Sequence, residues 1–194
     1  RATAGVGPLG AVMVYVFDGH DSAHPDYGDI GTRIGGAEDL NELLQIAHDY
    51  GTEIGIHINA SEGYPEADAF SEDLMRIGSF GWNWVDESYS MNTMYDLTSG
   101  LRAQRLDSLR EQLTDEDNLD FIYLDVWSAD TWQTNKISQQ FIERGWRCAN
   151  EWGYANEDDA TWNHWAVDVD YGGSSSKGIN SDIMRFIRNL QKDS

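Results

Sequence analysis

Asp125 and Glu151 are the carboxyl pair best placed to do chemistry in this chain. Each stands at the C-terminal end of an apolar segment, in Phe121-Ile122-Tyr123-Leu124-Asp125-Val126-Trp127 and in Arg147-Cys148-Ala149-Asn150-Glu151-Trp152. One helical stretch separates the two segments, so they read as sequentially adjacent parallel strands. Adjacent strands lie about 4.8 Å apart. Glycoside hydrolysis with retention needs two carboxyl groups about 5–5.5 Å apart, one as nucleophile and one as acid/base. A pair of structural acids, or two helix N-caps, would leave the same trace. The other apolar segments also end in polar groups: Asp18, His20 and Asp21; Asn59, Ser61 and Glu62; Asp168 and Asp170. Five such ends on one rim point to chemistry or to metal binding. Asp168 and Asp170, with Asp26 and Asp29, offer hard oxygen ligands. No spacing matches a calcium loop and no histidine pair has ligand spacing. No metal is therefore expected in catalysis, although a structural calcium ion is compatible with the sequence.

The elements that would hold these groups alternate. Strands are expected at 11–17, 53–59, 119–126, 146–150 and 165–170, and helices at 38–49, 67–77, 99–113, 132–144 and 179–191. Gly51 and Gly145 follow two of the helices, as C′ glycines do. Within the strands, Ile54, Ile56 and Ile58 share one face while Gly55, His57 and Asn59 share the other. Ile122, Leu124 and Val126 likewise oppose Phe121, Tyr123 and Asp125. One aliphatic face suits outer helices, and one mixed face suits a barrel lumen. A doubly wound sheet would need both faces aliphatic. The expected fold is α/β, a (β/α)8 TIM-type barrel present as an incomplete barrel of about five βα units. Residues 1–194 are read as one partial catalytic barrel domain, truncated at both ends, and inactive when isolated.

Composition narrows the partners. With 34 Asp or Glu against 13 Lys or Arg, the net charge is −21. That repels nucleic acid and anionic membrane surfaces. The 40% hydrophobic content supports a packed core rather than disorder. The longest apolar run, Ala11 to Phe17, cannot span a bilayer. All eight tryptophans follow residue 81, which fits either a Trp-rich core or a sugar-stacking surface. Cys148, the one cysteine, reads as a buried inert thiol. Gly172-Gly173-Ser174-Ser175-Ser176-Lys177-Gly178 lacks the ending of a phosphate loop.

Six motifs in order carry a resemblance over nearly the whole chain. They are Gly19-His20-Asp21-Ser22 with His24-Pro25-Asp26-Tyr27-Gly28-Asp29, His57-Ile58-Asn59-Ala60-Ser61-Glu62, Gly81-Trp82-Asn83-Trp84, the Asp125 segment, Gly145-Trp146-Arg147 with Glu151-Trp152-Gly153, and Tyr171-Gly172-Gly173 with Lys177-Gly178-Ile179-Asn180-Ser181. The chain resembles the catalytic domain of endo-α-N-acetylgalactosaminidases, glycoside hydrolase family 101. The resemblance implies release of Gal-β-1,3-GalNAc from Ser or Thr of mucin-type O-glycoproteins, with retention. It implies an extracellular or bacterial cell-surface enzyme needing no catalytic cofactor. It carries the nucleophile onto Asp125 and the acid/base onto Glu151. It carries a disaccharide-binding aspartate onto Asp21, a tryptophan lid onto Trp82 and Trp84, and substrate-lining positions onto Tyr123, His57 and Asn59. The segment 128–138 departs from the family, and nothing is transferred onto it. A sugar-binding barrel without catalysis and a metal-dependent hydrolase are the alternatives. The first would need neither Asp125 nor Glu151.

Overall fold

Ile54, Ile56 and Ile58 alternate along β2 (Glu53–Asn59), and all three are buried. The same alternation places Ile122 and Leu124 of β6 (Phe121–Asp125) and Cys148 of β7 (Arg147–Asn150) in one apolar cluster with them. Among the described residues, three helices cover that face. Leu40, Leu44 and Ala47 come from α1 (Gly36–Asp49), Leu106 and Leu109 from α3 (Leu101–Glu111), and Ile137 and Phe141 from α4 (Thr131–Ile142). Each fully buried side chain of this kind contributes roughly 1.5–3 kcal/mol. The outer layer is therefore where the fold draws its stability, leaving the opposite face free for polar groups.

A computed structural model describes residues 11–14, 23–83, 86–127, 129–151 and 159–163. Five parallel strands stand in the order β1-β2-β6-β7-β8, with β1 at Ala11–Val14 and β8 at Ala160–Asn163. The sheet with helices on its outer face is part of a (β/α) barrel. Its inner face is layered by the strand register. Gly55 stands beside Phe121, His57 beside Tyr123 and then Ala149, and Asn59 beside Asp125. Gly55 has no side chain because a Cβ there would run into the Phe121 ring.

The expected strands at 53–59, 119–126 and 146–150 agree with β2, β6 and β7, and the helices at 38–49 and 132–144 agree with α1 and α4. Gly51, at C′ of α1, and Gly145, one residue beyond C′ of α4, both have positive φ, 66° and 88°. Cys148 is fully buried. Three regions differ. The expected helix at 99–113 is preceded by a separate short helix, α2 (Thr93–Thr98), because Gly100 at φ 82° turns the chain between α2 and α3. The fifth strand described is Ala160–Asn163, ahead of the expected 165–170; that segment and the helix expected at 179–191 lie outside the described residues.

The expected helix at 67–77 does not form. Asp26, distant in sequence, accepts the amides of Asp68 at 2.8 Å and Ala69 at 3.0 Å and bends that stretch into turns. Met75 then begins β4 (Met75–Phe80), which pairs antiparallel with β5 (Tyr89–Met91); β5 pairs in turn with β3 (Glu62–Gly63). Leu74, Met75 and Met91 make a small core separate from the outer layer. This three-stranded sheet is an excursion between β2 and α2, on the rim where β2 ends.

Below the excursion, α2 and α3 are joined by charge. Arg105 Nη2 donates to both oxygens of fully buried Asp96 at 2.7 Å and to the Tyr27 hydroxyl at 3.0 Å. Arg102, also buried, lies over the Trp127 ring. Breaking one partner from a buried pair strands its opposite charge. Asp96→Asn is therefore expected to lower stability by about 3–5 kcal/mol, read as a shift of the denaturant midpoint; a change below about 1 kcal/mol would mean that water already screens the pair.

Candidate active site

The last inner layer is the chemical one. Asp125 ends β6 with its side chain 22% exposed. Glu151 follows β7, and its amide donates to the Leu124 carbonyl at 3.1 Å, so the parallel ladder continues far enough to bring Glu151 level with Asp125. The negative charge of Asp125 bears on the Glu151 carboxyl and favours its protonated form.

Val126 fixes the pair from the backbone. Its amide donates to Glu151 Oε2 at 3.0 Å, and its carbonyl accepts from Ser61 Oγ at 2.9 Å. Its φ is 48°, a left-handed conformation that a β-branched residue seldom adopts. Strain of this kind costs on the order of 1–3 kcal/mol and persists only where the surroundings impose it. Here both sides of the residue are held, and Trp127 beyond it is buried with its Nε1 donating to Thr134 Oγ1 at 2.9 Å.

The layer beneath orients the pair. His57 Nε2 lies 3.3 Å from Asp125 Oδ2, and the His57 ring stacks on Tyr123 at 5.8 Å between centroids. His24, from the loop before α1, faces His57 at 5.9 Å and Tyr64 at 5.7 Å. Asn59 Oδ1 accepts from the Ser61 and Glu62 amides and the Ser61 hydroxyl, turning the chain sharply as β2 ends.

The family model described as endo-alpha-N-acetylgalactosaminidase matches residues 1–194. The chain belongs to the endo-α-N-acetylgalactosaminidase family. A curated relative from Renibacterium salmoninarum, named "Putative endo-alpha-N-acetylgalactosaminidase", is 37% identical over 99% of the chain. The chain spans 13% of that relative's length. Among solved structures, the alpha-N-acetylgalactosaminidase NagBb from Bifidobacterium bifidum in complex with GalNAc superposes with a TM-score of 0.65, at 17% identity, over 82% of this chain and 29% of that one. An alpha-amylase from Geobacillus thermoleovorans reaches 0.56 at 15% identity, over 72% of this chain and 36% of that one. At these identities the likeness is one of fold, that of barrel glycosidases.

In this member of the family, the structure brings Asp125, Glu151, His57, Asn59 and Tyr123 into one cluster at the strand ends. Trp82 sits at the turn between β4 and β5 with 74% of its surface exposed. Asp21 and Trp84 lie outside the described residues. Asp26, considered above as a metal ligand, spends its carboxylate on the amides of Asp68 and Ala69. Two further groups stand in the cluster without having been assigned a role from sequence. One is His24. The other is Glu62, whose carboxylate joins Asn59 to Trp82. The rim position of Glu62 is visible in the sequence, but its partner is a backbone amide and leaves no trace there.

Burial, then the charge on Asp125, raises the Glu151 pKa from its ordinary 4.5 to about 7; the Val126 amide pulls the other way. This keeps Glu151 partly protonated near neutrality. It also sets a stability cost. Native Glu151 keeps a proton that the unfolded chain releases, so its stabilisation is complete below about pH 4.5 and is lost as pH rises through about 7. Glu151→Gln, uncharged throughout, is expected to gain in Tm relative to the parent protein between pH 5 and pH 8. A difference that stays flat over that range would contradict the raised pKa.

Proposed function

We propose that this chain supplies the catalytic carboxyls of a retaining endo-glycosidase that releases Gal-β-1,3-GalNAc from Ser or Thr of mucin-type O-glycoproteins. The observation that carries the reading is the Asp125–Glu151 pair, set level on adjacent strands, with burial and the charge on Asp125 raising the Glu151 pKa to about 7. Inverting enzymes hold their carboxyls about 6.5–9.5 Å apart to admit a water, and retaining ones about 5–5.5 Å. Carboxyls brought level on adjacent strands, which lie about 4.8 Å apart, belong with the second group. Family membership supports the linkage and the sugar. NagBb, named for α-N-acetylgalactosaminidase activity and solved with GalNAc, shares the barrel.

In this mechanism Asp125 attacks the anomeric carbon while Glu151 protonates the departing Ser or Thr oxygen. The C–O bond to the peptide breaks as the bond to Asp125 forms. Glu151, now ionised, takes a proton from water, and that water displaces Asp125. His57, against Asp125, holds the nucleophile's orientation. Asp21 would meet sugar hydroxyls, Tyr123 and Asn59 would line the floor beneath them, and Trp82 and Trp84 would cover the disaccharide. The acidic surface suits an enzyme working outside the cell on secreted glycoproteins.

Three outcomes are expected of the full-length enzyme. Asp125→Asn and Glu151→Gln should each lower kcat on a core-1 glycopeptide by about 10²–10⁴-fold. Proton NMR of the fresh product should show the α anomer first, whereas an initial β anomer would rule out retention. The alkaline limb of the pH–rate profile should fall near pH 7, where Glu151 loses its proton. Turnover close to that of the parent in either variant would overturn the assignment.

A further inference from the structure

Glu62 opens the excursion that leaves the end of β2, and it is buried. Both oxygens are engaged. Oε1 accepts from the Trp82 amide at 2.6 Å, and Oε2 accepts from Asn59 Nδ2 at 3.2 Å. Asn59 is in register with Asp125, and the neighbouring Ser61 hydroxyl reaches the Val126 carbonyl. One short chain of hydrogen bonds therefore runs from the peptide of Trp82 to the backbone that holds the catalytic pair. The rest of the turn is tied as firmly. The Ser88 hydroxyl accepts from the Asn83 amide at 3.1 Å, Asn83 Oδ1 accepts from the Ser88 amide at 2.8 Å, and the Gly81 amide donates to the Ser88 carbonyl at 2.9 Å. Gly81 is packed so closely that a Cβ would lie 2.5 Å from Ser88 Oγ and 2.9 Å from the Glu62 carboxyl carbon. Of the ties on this turn, that of Trp82 ends on a carboxylate. A bond of this kind is worth about twice a neutral one.

We infer that Glu62 is a positioning residue, which fastens the Trp82 turn to the end of β2 and so fixes the exposed indole relative to the strand end that carries the site. The inference rests on the proposed roles of Asp125 and Glu151. It adds a second action through charge. Glu62 is close enough to Glu151 for its negative charge to favour the protonated acid, alongside the stronger influence of Asp125. The ionisable groups facing this region are His24 from the loop before α1, His57 from β2, Tyr123 and Asp125 from β6, and Glu151 after β7. His24 favours ionised Glu62 and Asp125 opposes it, while burial opposes it most.

The two actions separate by substitution. Glu62→Gln keeps an oxygen for the Trp82 amide but loses the charge, and its amide meets Asn59 Nδ2 donor to donor. Glu62→Ala loses both the tie and the charge. In the full-length enzyme acting on a core-1 glycopeptide, Glu62→Ala is expected to raise KM on the order of tenfold. Glu62→Gln should hold KM within about threefold of the parent while moving the alkaline limb of the pH–rate profile several tenths of a unit toward lower pH. Gly81→Ala, which displaces the Glu62 carboxyl without removing its charge, should raise KM and leave the alkaline limb in place. An unchanged KM in Glu62→Ala, equal KM increases in the Gln and Ala variants, or an unmoved limb in Glu62→Gln would overturn the inference. Those results differ from the failure of the catalytic assignment itself, which would appear as full turnover in Asp125→Asn.

Discussion

Two neighbouring carboxyl groups shielded from water cannot both be ionised without an electrostatic penalty. The rim of this sheet is arranged around that constraint. The parallel register sets the strand ends level, and the Glu151 amide bonds across to Leu124, so the pair is fixed by main chain before any side chain contributes. The left-handed turn at Val126 then aims an amide at Glu151, which opposes part of the rise in its pKa. The burial that keeps Glu151 protonated and the amide that restrains the effect act on the same carboxyl. The pair is held near a balance that neither would give alone.

The cost of this arrangement is met on the other side of the strands. Ile54, Ile56, Ile58, Ile122 and Leu124 face a continuous apolar layer of helices, while His57, Tyr123, Asn59 and Asp125 occupy the alternate positions of the same two strands. A strand that buries one face fully can tolerate strained and polar groups on the other. The inner face also changes character with height. A glycine and an aromatic ring fill its lower layer, a stacked histidine and tyrosine its middle, and amide and carboxyl groups its top. Apolar filling ends where chemistry starts.

Much of this could be read from the amino-acid order, and the reasons are local. Period-2 alternation in β2 and β6 declares which side chains face the helices, and the strand-end carboxyls follow from it. Where distant groups decide the outcome, the pattern misleads. Ala67, Phe70, Leu74 and Ile77 have helical spacing, but the Asp26 carboxylate captures two amides in that stretch and Met75 pairs with Met91 instead. The position of Glu62 was visible and its task was not, since its partner at Trp82 is a peptide group that every residue possesses. Asn83 and Val126 both carry positive φ; asparagine tolerates that conformation and hints at a turn, whereas nothing in the residue type of Val126 announces the one it makes.

The small antiparallel sheet has a different kind of consequence. It occupies one uninterrupted stretch, from Glu62 to Met91, and its core of Leu74, Met75 and Met91 is separate from the core of the barrel. A unit joined in this way behaves as a cassette, because a change in its length or in its aromatic residues leaves the packing between the helices and strands of the barrel untouched.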